Sequence, residues 1–311
     1  YHIGGVQVLV LALEHRVTLH MVDRFSATRF WDQVRAAGAT QIHFLGGILQ
    51  LLLRQPASTR DRDHPVRVAW GGGAPAAVWR EFEGRFGIEV RENYGMTEAS
   101  SLTTMNTDAR FGTVGRPAPY FDVRIVDTEG REAEPGRAGE ILVCEREPGL
   151  ITPGYFRNPE ATAAALRDGW LHTGDLGRLD DDGYLYFMGR LKDSIRRRGE
   201  NISAWEIERL VDQLDWVEEC AVIGVPDDLG DEEIKLFVRP RHPDEADIPA
   251  LAEWCTAKLA AFQIPRYYAI VEEFTKTATH RIRKETLPRT TTDAWTLTPQ
   301  GTLHPPPPDT Q

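Results

Sequence analysis

A chain of 311 residues is long enough to bury a substantial core and to divide into two domains. Its 36 basic and 47 acidic residues leave a net charge of −11, which excludes a broad nucleic-acid-binding face and confines any basic site to a local patch. Cys144, Cys220 and Cys255 are far apart and show no CxxC spacing, which excludes a disulfide framework or a cysteine zinc site and fits buried thiols in a reducing cytoplasm.

The chain opens at Tyr1 without an initiator methionine, so an upstream segment is expected, and no signal peptide is visible. The apolar run 8–13 is too short to span a bilayer and is followed by Glu14 and His15, so no integral membrane segment is expected. Ser26 is placed to cap a helix carrying Phe30, Trp31 and Val34 on one face and stopping near Gly38. A strand over 41–44, a buried helix over 47–53 and a strand over 66–70 follow. Then come the glycine triplet 71–73, a helix to about Phe86 and a strand over 88–92. Apolar strands alternating with helices predict a largely parallel, covered sheet.

From Phe111 short β runs such as 121–126 and 140–144 alternate with turn sequences, which predicts a β-rich subdomain over about 111–189. Beyond Arg190, Ser203 and Glu206 have capping-box spacing at the head of a helix running to about Leu214. Strands near 219–225 and 234–238 and a helix over 248–261 complete a small α+β domain. The stretch 288–311, with four consecutive prolines at 305–308 and no periodicity, is expected to be disordered.

Four segments carry chemistry. Asn93-Tyr94-Gly95-Met96-Thr97-Glu98 follows a predicted strand, where open α/β sheets place ligands. It offers an aromatic face, a hydroxyl and a carboxylate suited to a base, a phosphate and Mg²⁺, or it is simply a loop. The triplet 71–73 permits close backbone approach ahead of a helix N-terminus, although it matches neither GxGxxG nor the P-loop, and a tight turn explains it equally. Trp170-Leu171-His172-Thr173-Gly174-Asp175 presents a carboxylate after a glycine turn, able to accept both hydroxyls of a ribose or to cap the turn. The basic run 189–201 is either a solvated charge patch or a hinge beside a phosphate-bearing ligand.

Taken in order, NYGMTE, GWLHTGDLG and GYLYFMGRLKDSIRRRGENIS resemble the adenylate-forming (AMP-binding) superfamily of acyl-CoA synthetases, luciferases and adenylation domains over residues 1–287. The sequence looks most like bacterial carnitine/crotonobetaine and fatty acyl-CoA ligases. The resemblance implies an α/β fold. Residues 1–190 would be the downstream part of the large AMP-binding domain, with a parallel sheet and a small β subdomain. Residues 191–287 would form a mobile α+β lid.

It further implies an acyl-CoA ligase that uses ATP, Mg²⁺, coenzyme A and a small carboxylic acid. Gly73, Ala74 and Pro75 would border the adenine, with Asn93, Tyr94 and Gly95 beside it. Thr97 would bind the α-phosphate, Glu98 would hold Mg²⁺, and Asp175, with Arg190 nearby, would hold the ribose. Lys192 would be the hinge and Gly199 would line the pantetheine route. His2, Trp70 and Gly71 would wall the acyl pocket.

Two departures from the pattern stand out. The family's C-terminal lysine, in a Thr-Gly-Lys context, is matched by Thr279-His280-Arg281, so Arg281 is the expected cation and Lys284 the nearest lysine. The Ser/Thr/Gly-rich loop that wraps the outer phosphates has no counterpart in these 311 residues and is expected upstream of His2, so the chain by itself should adenylate poorly. Other readings are a non-catalytic nucleotide- or acyl-binding relative and a carrier-protein-loading adenylation domain.

Overall fold

The computed structural model describes residues 3–74, 76–100, 102–197, 200–227, 232–277 and 282–307. The chain divides into two compact units, residues 1–187 and 188–311.

The first unit opens with α1 (Ile3–Glu14) and α2 (Phe30–Ala37). Gly38, at φ 61°, closes α2 in the left-handed conformation that glycine adopts without strain. Ser26 does not cap this helix, which starts one turn later behind Arg29. The Ser26 hydroxyl pairs instead with Thr28 Oγ1 at 3.1 Å. Next come β1 (Gln41–Leu45), α3 (Ile48–Leu53), β2 (Val68–Gly72), α4 (Ala76–Phe86) and β3 (Glu89–Glu92).

The strands form a parallel sheet in the order β1-β2-β3, as their apolar alternation with helices predicts. Ile42, Phe44, Ala69 and Val90 bury one face in a core with Leu49, Leu52, Trp79, Phe82 and Phe86. The second strand lies two residues later than expected, which moves Gly71 and Gly72 from loop into strand. Packing explains the shift: a Cβ on Gly71 would stand 1.8 Å from the Phe44 carbonyl oxygen, so only glycine lets β1 and β2 approach there.

A short hairpin pairs β4 (Thr104–Met105) with β5 (Arg116–Pro117). The rest of the unit comprises β6 (Phe121–Val126), β7 (Gly139–Glu145), α5 (Pro159–Ala165), β8 (Leu166–Arg167), β9 (Trp170–Leu179) and the start of β10 (Leu185–Arg190), whose last three residues are counted with the second unit. Their sheet runs β10-β9-β7-β6, with β8 on β9. Its core is Phe121, Ile125, Ile141, Val143, Leu171 and Leu185.

The second unit contains a ribbon of β11 (Ser194–Arg197) and β12 (Glu200–Ser203), then α6 (Ala204–Val211), capped by Ser203 Oγ, which accepts from Glu206 N–H. β13 (Val217–Pro226), β14 (Glu232–Pro240), α7 (Ile248–Lys258) and β15 (Tyr267–Ile270) follow. Two more strands, β16 (Trp295–Leu297) and β17 (Leu303–His304), complete a five-stranded sheet. They correct the expectation of disorder over 288–307; its last part, 308–311, lies outside the described residues.

Apolar packing by Trp295, Leu297 and Leu303 holds this segment, and so does a buried cation. Lys235 on β14 is fully buried, and its ammonium donates to Asp293 Oδ1 at 2.8 Å and the Thr290 carbonyl at 2.6 Å. A buried ammonium needs such partners, and the segment that lacks periodicity supplies them. Cys220 and Cys255 are buried, and burial pushes both thiols up, Cys255 to about 12, so they pack as small apolar residues. Among the described residues no helix is long and apolar enough to cross a membrane.

Candidate functional site

In the first unit the hydroxyl of Tyr94 donates to Asp175 Oδ2 at 2.7 Å across 81 residues of sequence. Both side chains are buried, at 7% and 2% exposure. The bond joins the loop after β3 to the middle of β9. Asp175 is therefore not a turn residue, as the glycine before it suggested. Between Leu142↔His172 and Glu140↔Leu176, Ile141 alone faces Thr173, Gly174 and Asp175. That excess forms a bulge, with Gly174 at φ 67° taking the left-handed step.

Two bonds brace the bulge further. Gly174 N–H donates to Glu140 Oε1 at 3.1 Å, and Thr173 Oγ1 donates to the Ile141 carbonyl at 2.7 Å. The result aims a carboxylate inward, toward Tyr94.

Tyr94 is held on every side. Its carbonyl accepts the N–H groups of Thr103 and Thr104 at 3.0 Å, its own N–H donates to Thr104 Oγ1 at 3.1 Å, and its ring stacks on Phe187 at 5.8 Å. Asn93 Oδ1 accepts Asn106 N–H at 2.9 Å. Gly95 and Thr97 stay exposed on the loop surface. Thr97, Glu98 and Ala99 form a single 3-10 turn. Glu98 is half-buried, and Oε1 accepts the Tyr155 hydroxyl at 2.9 Å.

In the glycine segment the N–H groups of Gly73 and Ala74 donate to Glu92 Oε1 at 3.0 Å each. Gly71 is buried against Phe44, and Trp70 meets His43 edge-on at 4.6 Å. In the second unit Arg190 ends β10, and Lys192 is the middle of a 3-10 turn, Leu191–Asp193; both are exposed.

Lys284 is engaged rather than available. Its ammonium stands 2.7 Å from Glu208 Oε1 on α6, with the two side chains 21% and 16% exposed. Burial pushes the Glu208 carboxyl up, and the Lys284 charge offsets only part of that. His2, Pro75, Gly199 and Arg281 lie outside the described residues.

Sequence reasoning missed Glu92, Tyr155, Glu140 and Thr104. Glu92 directly precedes the NYGMTE loop and was legible as an acid at a strand end. Tyr155 is 57 residues from Glu98, and no spacing announces it.

A two-unit α/β protein with a buried tyrosine–aspartate pair beneath an exposed loop is a ligand-binding architecture of the open-sheet kind. The chain belongs to the AMP-binding enzyme family, which matches residues 1–156, while the AMP-binding enzyme C-terminal domain matches residues 206–281. A probable CoA ligase of Humulus lupulus is 37% identical over 86% of this chain and 52% of its own length. A crotonobetaine/carnitine–CoA ligase of Salmonella typhi is 32% identical over 87% of this chain and 53% of its own. The solved o-succinylbenzoate coenzyme A synthetase of Bacillus subtilis, in complex with ATP and a magnesium ion, superposes with a TM-score of 0.80 at 26% identity. That match covers 92% of this chain and 59% of the solved one. The chain spans about half the length of the curated relatives it matches.

Proposed function

We propose that the protein is an ATP-dependent acid–thiol ligase. A carboxylate oxygen attacks the α-phosphorus of ATP and pyrophosphate leaves, giving an acyl-adenylate. The thiol of coenzyme A then attacks the acyl carbon, AMP leaves and a thioester forms. In this reading the nucleotide lies along the exposed edge at Gly95 and Thr97, with Asn93, Tyr94, Gly73, Ala74 and Pro75 beside the adenine. Thr97 donates to the α-phosphate. Asp175, held by Tyr94 on one oxygen, receives the ribose hydroxyls.

The observation that carries the proposal is the buried Tyr94–Asp175 bond, because it draws two of the three family motifs into one constellation. Positioning and charge stabilisation are what such a transfer requires of a protein. The identity with named CoA ligases supports the thiol step.

Among the described residues no group of three or more His, Cys, Asp or Glu side chains converges as a metal cage. A lone carboxylate, Glu98, fits Mg²⁺, which keeps several waters and shares oxygens with substrate phosphates. Bound there, Mg²⁺ would neutralise charge on the triphosphate. The second unit, with Lys192 as its hinge, is proposed as the lid that rearranges between the two steps, with Arg190 reaching the ribose, Gly199 on the thiol route and Arg281 as the adenylation cation. Three free thiols fit a cytoplasmic protein.

Hydroxylamine trapping with a panel of carboxylic acids, run on the whole protein with ATP and Mg²⁺, tests the proposal. Acid-dependent hydroxamate is the expected product, and its absence with every acid would sink the assignment.

A further inference from the structure

We infer that Tyr155 is a positioning residue that sets the Glu98 carboxylate for a divalent cation, an inference that rests on the ligase reading above. The 3-10 turn bearing Glu98 has no regular element to hold it. What holds it is the segment after β7. Thr152 N–H donates to the Glu98 carbonyl at 2.8 Å, and Ser100 Oγ donates to the Leu150 carbonyl at 2.5 Å. Tyr155 adds the bond from its hydroxyl to Glu98 Oε1 at 2.9 Å. Backbone and side chain of the same residue are thus fixed by one neighbouring segment.

That segment is itself anchored at both ends. Glu145, the last residue of β7, accepts the N–H groups of Leu150 and Ile151 at 2.7 and 2.6 Å. Tyr155 N–H donates to Thr162 Oγ1 at 2.9 Å, and Thr162 Oγ1 donates to the Asn158 carbonyl at 2.8 Å. Asn158 Oδ1 caps α5 by accepting Ala161 N–H. Gly154, at φ 141°, adopts a backbone that side-chain-bearing residues avoid, and a Cβ there would stand 2.6 Å from Thr162. The chain is thereby bent so that Tyr155 is rooted on α5 while its hydroxyl reaches the turn.

The chemistry follows from the donor. A phenolic O–H on Oε1 brings no positive charge to the site and leaves Oε2 for a hard cation. A lysine or arginine in its place would compete electrostatically with the metal. Outer partners that orient a metal-binding side chain typically matter about 10- to 100-fold in metal affinity.

Tyr155→Phe in the whole protein removes the hydroxyl and keeps the ring. Adenylation of an accepted acid, followed by pyrophosphate release across a Mg²⁺ series, should need about tenfold more Mg²⁺ for half-maximal rate. The KM for ATP at saturating Mg²⁺ should stay within about twofold, because uniform nucleotide binding is untouched. An independent readout is the free Mn²⁺ signal in electron paramagnetic resonance as Mn²⁺ is titrated into protein with ATP; its half-saturation should rise by a similar factor. Wild-type Mg²⁺ and Mn²⁺ curves in the variant overturn the inference, as does a raised KM for ATP with no change in metal dependence. If Tyr155→Phe does not fold, Thr162→Val, which loosens the root of Tyr155, decides by a smaller shift in the same direction or none. A wild-type protein that adenylates no acid removes the ligase reading instead, and the Mn²⁺ titration still judges Tyr155.

Discussion

The candidate site of the first unit and the lysines of the second hold their acids by opposite means. In the first, the acids of the candidate site are oriented by neutral donors: Tyr94 on Asp175, Tyr155 on Glu98, and backbone N–H groups on Glu92 and Glu145. In the second, acids and lysines pair as ions: Lys235 with Asp293, Lys276 with Glu219 and Lys284 with Glu208. Neutral donors leave a carboxylate charged and able to take a ligand or cation. Ion pairs use up both charges on the architecture. A lysine near an expected catalytic position therefore says little until its partner is known, and Lys284 is such a case.

The contrast can be broken by removing one member from each kind of contact. The largest effect is expected for Asp293→Ala, which leaves the fully buried Lys235 ammonium with the Thr290 carbonyl and the face of the Phe237 ring but no counter-charge. The second unit should lose about 3 kcal/mol, toward the lower end for a broken buried pair because a hydrogen-bond partner remains and Asp293 is itself 47% exposed. Lys235→Met, which removes the charge instead, should cost much less. Urea unfolding followed by tryptophan fluorescence checks both, and equal losses would show that charge is not the issue. Next comes Tyr94→Phe. It leaves the buried Asp175 one donor short, for about 1–3 kcal/mol of first-unit stability, and should lower adenylation as well. Unchanged stability and unchanged activity together would remove the pair from the centre of the site.

Much of the fold was legible in the sequence. The parallel β1-β2-β3 sheet, the helices between its strands and the Ser203 cap all follow from period and cap chemistry, which act within a few residues. The misreadings came from distant partners. The start of β2 slipped because Gly71 answers to Phe44, 27 positions earlier. The Asp175 turn proved a bulge because Ile141 faces three residues of the partner strand. The segment after 288 looked disordered because one reason for its order, Lys235, belongs to a strand more than fifty residues upstream. Within the site, the motif residues announced themselves while the groups that aim them, Tyr155, Glu140 and Glu92, did not: an orienting hydroxyl or carboxylate needs only to reach its target in space.

The smallest expected effect gives the sharpest reading of the ionic side. Burial raises the Glu208 carboxyl above its ordinary value, against the pull of Lys284. An acid whose folded pKa is raised holds its proton in the native state over a range where the unfolded chain has already released it. Stability therefore falls as pH rises from the ordinary glutamate pKa, about 4.3, to the raised native one, and is level on either side. Glu208→Gln abolishes that slope. At low pH the variant should match the parent, since the native carboxyl is protonated there. Above the native pKa the variant should exceed the parent by the whole of the parent's fall, because the raised native value already contains the attraction to Lys284. Urea midpoints for the two proteins between pH 4 and 7 measure this directly. A parent whose stability instead rises through that window would mean that Lys284 outweighs burial and that the pair, rather than the cost of hiding it, governs how α6 meets the segment bearing Lys284.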